Sequence, residues 1–336
     1  MSSSALYRNP TWISLFPRTP TPAAAPRELV DRVAPHLPGP GTLERLEYAG
    51  RPSSHLVFAG ENGERLFLKL VGEGSAERQC EADGVSAWLA RQDVSCVEPT
   101  AGFPREIGGR LRLFAYPFLE CEPIPPQADD LTRLGAELAQ LHAALARHPA
   151  RSAWEASTRA RLEHLTDIRG AWARGELSLG PRPDDLVELA RDTSLDFVRS
   201  DLPATPLHGD LNAGNLRRLA DGRPLLLDFE DAFHSVLPCP FELGLVFERI
   251  VLVAVDNDRE AGRLLDVLID AYRRAGGVVP ATVDWRRIVR SLALRSLCVI
   301  TSCELAGVSI DAGEWLKFFH LAEAAAKRPA AFASVA

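Results

Sequence analysis

Leu66, Leu68 and Leu70 alternate with Phe67, Lys69 and Val71 through Arg65–Val71, the period of a β-strand with two distinct faces. His55–Ala59 reads as a second strand. The Glu61-Asn62-Gly63-Glu64 step between them predicts a hairpin, because Asn and Gly both tolerate positive φ. Helical spacing then takes over. Cys80, Val85, Trp88 and Leu89 recur on one stripe of Ser75–Gln92, before Arg110–Tyr116 returns to strand. A Pro-rich crossing ends at Gln127. Beyond it Asp129 or Asp130 is expected to cap a helix whose Leu131, Leu134, Leu138, Leu141 and Leu145 fall at steps of three and four.

Upstream, Arg27–His36 is amphipathic, and downstream mixed helices run to about Ser200. Asp221-Gly222 turns a second hairpin between Leu216–Leu219 and Pro224–Leu227, and the remainder is mainly helical. No internal repeat interrupts this order. The expected fold class is α+β: an extension over 1–40, a β-rich lobe over 41–120, a short hinge, and a mostly α-helical lobe over 121–336.

Composition narrows the function classes. At 336 residues the chain can hold two lobes, each with its own core. Its net charge of -7 argues against nucleic-acid binding, which needs a basic stripe to displace phosphate counterions, and slightly favours neutral or cationic partners. The six cysteines form no C-x-x-C pair and read as free thiols of a reducing compartment. Neither a secretory signal nor a membrane span is recognisable, so a cytoplasmic protein is expected. Only three of the 38 basic residues are lysines: Lys69, Lys317 and Lys327. In an arginine-rich background Lys69, near the end of its strand, stands out as a site for a compact ammonium group.

The chemistry concentrates in Pro206–Asp231. The second hairpin sets Asn215 at the entry of one strand and Asp228 at the exit of its partner. Asp210, five residues before Asn215 in a Gly-bearing loop, is expected to turn back over the same point. Oxygen ligands so arranged suit Mg²⁺ together with nucleotide phosphates and water, and leave one carboxylate to take a proton from a hydroxyl.

His208-Gly209-Asp210-Leu211-Asn212-Ala213-Gly214-Asn215 resembles the catalytic loop H-G-D-x-x-x-x-N of the aminoglycoside-phosphotransferase and choline-kinase-like family, and Leu227-Asp228-Phe229-Glu230-Asp231 resembles its metal-binding segment. The resemblance spans roughly residues 45 to 250. It implies a protein-kinase-like, two-lobed fold and an enzyme moving the γ-phosphoryl of ATP, with GTP as the alternative donor, to a small hydroxylated acceptor. By the same resemblance Asp210 is the catalytic base, Asn215 and Asp228 hold Mg²⁺, Lys69 grips the α- and β-phosphates, and Glu81 pairs with Lys69.

Some positions depart from the family pattern. The phosphate-covering loop, Ala49-Gly50-Arg51-Pro52-Ser53-Ser54, has a single glycine, so Ser53, Ser54 and backbone N–H groups would serve in its place. Asn212 stands where many members carry histidine, and Glu242 where aspartate is common. The acidic run Asp228, Glu230, Asp231, Glu242 and Glu248 suggests a cationic acceptor on charge alone. His208 and His142 read as structural, while Glu230 and Asp231 are equally readable as ligands or as solvated charges. Three other functions fit parts of the pattern: a protein Ser/Thr kinase, a nucleotide-binding pseudokinase, and a metal hydrolase using His208 and Asp210. The oligomeric state is not legible.

Overall fold

The computed structural model describes residues 21–48, 51–195 and 203–333. In chain order the first elements are β1 (Thr21–Ala24), α1 (Arg27–Val33), β2 (Gly41–Tyr48), β3 (Arg51–Gly60), β4 (Arg65–Gly72), α2 (Glu73–Ala90), β5 (Arg105–Glu106), β6 (Leu111–Pro117) and β7 (Cys121–Pro123). There follow α3 (Ala128–Leu145), α4 (Arg151–Ala173), α5 (Pro183–Asp192), β8 (Ala204–Pro206), β9 (Leu216–Leu219), β10 (Pro224–Leu226) and β11 (Val236–Pro238). The chain ends with α6 (Pro240–Val246), a π-helical turn Phe247–Val251, α7 (Leu252–Ala254), α8 (Asp258–Arg274), α9 (Trp285–Leu305) and α10 (Ala312–Lys327). They form two compact units, one within Pro17–Pro123 and Gly214–Glu230, the other within Ile124–Ala213 and Asp231–Ala336.

The first unit is built on an antiparallel sheet of order β1-β2-β3-β4-β6-β5. The expected hairpin joins β3 to β4 through Asn62-Gly63, where Gly60 N donates to Glu64 O at 2.8 Å and Asn62 Oδ1 accepts from Glu64 N. One sheet face carries Leu56, Phe58, Leu66 and Leu68 into a core with Val33 and Leu29 of α1. Val71 and Phe114 pack Ala76 and Cys80 of α2 on the other face, the one that bears Lys69. A smaller ribbon of order β10-β9-β7 completes this unit, with Leu226 N bonded to Ser95 O at 2.9 Å.

β2 was not expected. Its register shifts between Arg45 and Glu47, so its apolar Leu43 and Leu46 are three apart and lack the period of two that marks a strand. α3 begins at Ala128, with Gln127 as its N-cap and no side-chain cap bond. Asp129 and Asp130 therefore lie inside the first turn, favouring the helix N-terminus by charge rather than capping it.

The second unit is helical. Trp172, Leu294, Leu297, Trp315 and Phe319 centre one core among α4, α9 and α10; Leu162, Leu207, Phe241, Leu245 and Leu292 form another. α3 and α8 pack closely at Gly135, where a Cβ would sit 2.5 Å from Leu268 O. All six cysteines are free. No helix among the described residues is long and apolar enough to cross a membrane.

Candidate active site

His208–Ala213 of the motif loop lies in the second unit and is locked from below. His208 N and Gly209 N donate to Glu242 Oε2 and Oε1 at 2.9 and 2.7 Å, and His142 Nε2 lies 2.8 Å from Glu242 Oε2. His142 Nδ1 in turn meets the Tyr272 hydroxyl at 2.8 Å. Burial alone would raise the Glu242 carboxyl, yet the bonds from His142 and the loop amides hold it below the usual range. His208 is fully buried, and its Nδ1 accepts weakly from Asp210 N at 3.4 Å, so both His142 and His208 shape the loop. Gly209 has φ +86, and a Cβ there would meet Ser235 Oγ at 2.1 Å, which restricts the turn to glycine.

That turn presents Asp210. Its Oδ2 accepts from Asn212 Nδ2 at 3.0 Å and its Oδ1 from Arg249 Nη1 at 2.5 Å. Asp231 begins the next stretch of the same unit and is held by Arg161 at 2.7 Å and Arg295 at 3.1 Å. Burial opposes its ionisation, but the two guanidinium groups overcome that and keep the carboxyl well below its ordinary range.

In the first unit, β9 and β10 pair Leu216 with Leu226, and Leu227 N donates to Asn215 O at 2.9 Å. Asn215 and Asp228 therefore stand at the same end of the ribbon, as the hairpin predicts. Asp228 has φ +63, an uncommon backbone for a side-chain-bearing residue. An amide oxygen and a carboxylate are hard donors of the kind Mg²⁺ takes alongside phosphate and water. Among the described residues no three His, Cys, Asp or Glu side chains gather as a ligand set.

Lys69 pairs in register with His55 of β3 and Phe114 of β6. Its Nζ donates to Glu230 Oε1 at 2.6 Å and lies 3.9 Å from Asp228 Oδ2. Burial and the Lys69 charge push the His55 imidazole down to about 4. The expected Lys69–Glu81 pair is not formed. Glu81 is exposed and, among the described residues, makes no hydrogen bond or ion pair. The reason is phase: the buried face of α2 carries Gln79, Ala82 and Asp83, and Glu81 is two residues from both polar members, on the far side of the helix. Asp83 accepts from the Tyr116 hydroxyl at 2.8 Å and from Gln79 Nε2 at 3.0 Å; its burial raises the carboxyl despite those bonds. Ala49 and Gly50 of the phosphate loop lie outside the described residues, as does the Ser53 side chain; Ser54 is exposed on β3.

Four members of the acidic run are already engaged or enclosed. Glu230 is engaged by Lys69 and Arg78, Asp231 by two arginines, Glu242 by the loop, and Glu248 is wholly buried. The sequence reading also passed over Arg249. Its signal was the Glu248-Arg249 pair inside the otherwise apolar run Leu243–Val255.

The sequence profile of the phosphotransferase enzyme family (APH) matches residues 48–237, and the chain belongs to that family. Among curated proteins none matches it at the sequence level. Among solved structures, choline kinase LicA from Streptococcus pneumoniae aligns with a TM-score of 0.60 at 12% identity, covering 89% of this chain and 98% of that one. Amicoumacin kinase hAmiN in complex with AMP-PNP, Ca²⁺ and Ami gives 0.59 at 17% identity, covering 91% and 95%. Macrolide 2'-phosphotransferase MphH from Brachybacterium faecium gives 0.57 at 19%, covering 88% and 97%. The fold is kinase-like, and the protein is a phosphotransferase.

Proposed function

We propose that the protein moves the γ-phosphoryl of ATP, with Mg²⁺, to a hydroxyl of a small acceptor, and that Asp210 takes the hydroxyl proton. The observation that carries this reading is the setting of Asp210: a carboxylate presented on a glycine turn, anchored through Glu242 and oriented by one bond to each oxygen. Asn215 and Asp228 hold the cation, whose charge offsets that on the transferring phosphoryl group. Lys69 leaves Glu230 to grip the α- and β-phosphates, and Ser54, Ser53 and neighbouring amides cover them. In this reading 41–120 carries nucleotide binding, 121–336 catalysis and acceptor recognition, and 1–40 is an extension. The triphosphate analogue and divalent cation held by the amicoumacin kinase support the choice of cofactors, with GTP as the alternative donor.

The test follows ADP release from Mg-ATP across aminoglycosides, amino alcohols, sugars and nucleosides, with Asp210→Asn beside the wild type. Acceptor-dependent release that falls about 10²-fold or more in the variant is the expected result. Phosphorylation of a protein with no metabolite turnover would favour a protein kinase. Binding of Mg-ATP without any transfer would favour a pseudokinase.

A further inference from the structure

Glu248 and Arg249 are consecutive charged residues on the π-helical turn Phe247–Val251, both buried, at 0% and 9% relative exposure. A π turn shifts side chains off the regular helical phase and is frequent at functional sites. Arg249 gives Nη1 to Asp210 Oδ1 at 2.5 Å and Nη2 to Ser296 Oγ at 3.3 Å, with its guanidinium 5.7 Å from the centre of the Phe318 ring. Among the described residues its buried Nε finds no hydrogen-bond partner, and neither does either oxygen of Glu248. A buried acid without partners costs stability that a leucine would not. The pair therefore calls for a role beyond packing.

We propose that Arg249 is a positioning residue that fixes the Asp210 carboxylate, and that Glu248 controls how firmly it does so by competing for the same guanidinium group. The inference rests on Asp210 being the base. The cations acting on Glu248 are Arg249 on its own turn, Lys317 of α10 and Arg295 of α9. Lys317 is bonded to Glu314 at 2.5 Å and Arg295 to Asp231 at 3.1 Å, whereas Arg249 keeps one donor unused. While Glu248 carries its proton, Arg249 belongs to Asp210. Once it ionises, two carboxylates share one guanidinium and the hold on Asp210 relaxes. Burial pushes Glu248 up to about 8, against the opposing pull of Arg249, Lys317 and Arg295, so the exchange falls just above neutral pH.

The test is ¹³C-carboxyl NMR of Asp- and Glu-labelled full chain from pH 5 to 10, with Asp210 assigned through Asp210→Asn. In wild type a glutamate titrates near pH 8 and the Asp210 resonance shows an inflection at the same pH. That inflection disappears in Glu248→Gln and in Arg249→Met, and Arg249→Lys restores part of it. Turnover of Mg-ATP, with water as acceptor or any acceptor the panel yields, falls above pH 8 in wild type but not in Glu248→Gln, at unchanged KM for ATP. An Asp210 resonance blind to pH near 8, or an inflection that survives in Arg249→Met, overturns the proposal. Glu248→Gln is nearly isosteric and keeps the test alive should Arg249→Met not fold. If Asp210→Asn retains full transfer, the base assignment fails, whereas the NMR coupling stands or falls by itself.

Discussion

Lys69 and Glu230, 161 positions apart, are joined by a 2.6 Å bond from Nζ to Oε1, with Asp228 Oδ2 at 3.9 Å from the same ammonium group. If Lys69 grips phosphates as proposed, the nucleotide must displace this carboxylate. Glu230→Gln should therefore tighten ATP binding by about fivefold, the equivalent of roughly 1 kcal/mol for a partly buried pair. Isothermal titration reads this directly. Weaker binding in the variant would instead place Glu230 among the groups that hold the cation. Lys69→Arg should bind ATP poorly, because the planar fork cannot replace a compact ammonium at that strand position.

Asp83, not Glu81, is the acid that matters on α2. Asp83→Ala takes the acceptor from the Tyr116 hydroxyl and leaves the Gln79 amide only the Tyr116 oxygen, at a cost of about 1–3 kcal/mol. Glu81→Ala, on the exposed face, should stay within about 0.5 kcal/mol of wild type. Urea denaturation of both variants checks the ranking, and equal effects would refute it.

What the sequence made legible was local. Both hairpin turns, the Leu131–Leu145 stripe and the His208–Asn215 loop are defined by residues a few positions apart, where alternation, turn chemistry and motif spacing operate. The groups that finish the site are distant. Arg249 lies 39 positions from Asp210, and His142 lies 100 from Glu242. No periodicity links such pairs, and only packing of the folded chain brings them together. Glu81 failed for a different reason: its spacing from Lys69 fitted the family pattern, but helix phase turned it outward.

Gly209→Ala should damage activity and stability together. The added Cβ would meet Ser235 at a distance no real contact adopts, on a backbone of φ +86 that side chains avoid. A loss of about 1–3 kcal/mol in denaturation is expected, with turnover reduced further because Asp210 follows directly. Gly209→Ala with normal turnover would show that the loop tolerates another path.

Acid should unfold the second unit through Glu242 and Asp231. Both carboxyls sit below their ordinary range in the folded state, Glu242 through His142 and the loop amides, Asp231 through Arg295 and Arg161, each against the opposing effect of burial. Groups depressed on folding contribute stability that is complete above about pH 4.5 and is lost as the pH falls through their folded values. In a Glu248→Gln background, which removes the separate titration of that acid, denaturation midpoints should be flat from pH 7 to 5 and drop steeply below about 4. In Glu242→Gln the drop should be shallower, on a lower plateau.

Glu248 works in the opposite sense. Its carboxyl is raised on folding to about 8, by burial that outweighs Arg249, Lys317 and Arg295, against about 4.3 in an unfolded chain. Between those values the native state holds one proton more than the unfolded state, so stability declines as the pH rises through that window and levels off above it. The cost at the upper end is on the order of a few kcal/mol. Glu248→Gln removes the ionisation while keeping the shape, and should raise the urea midpoint clearly at pH 8.5 and little at pH 5. A variant equally destabilised at both values would mean that the folded protein does satisfy the carboxyl. A stabilised variant whose hold on Asp210 no longer relaxes near pH 8 would show that the chain accepts an unpartnered acid beside Arg249 for the control it gives over the base.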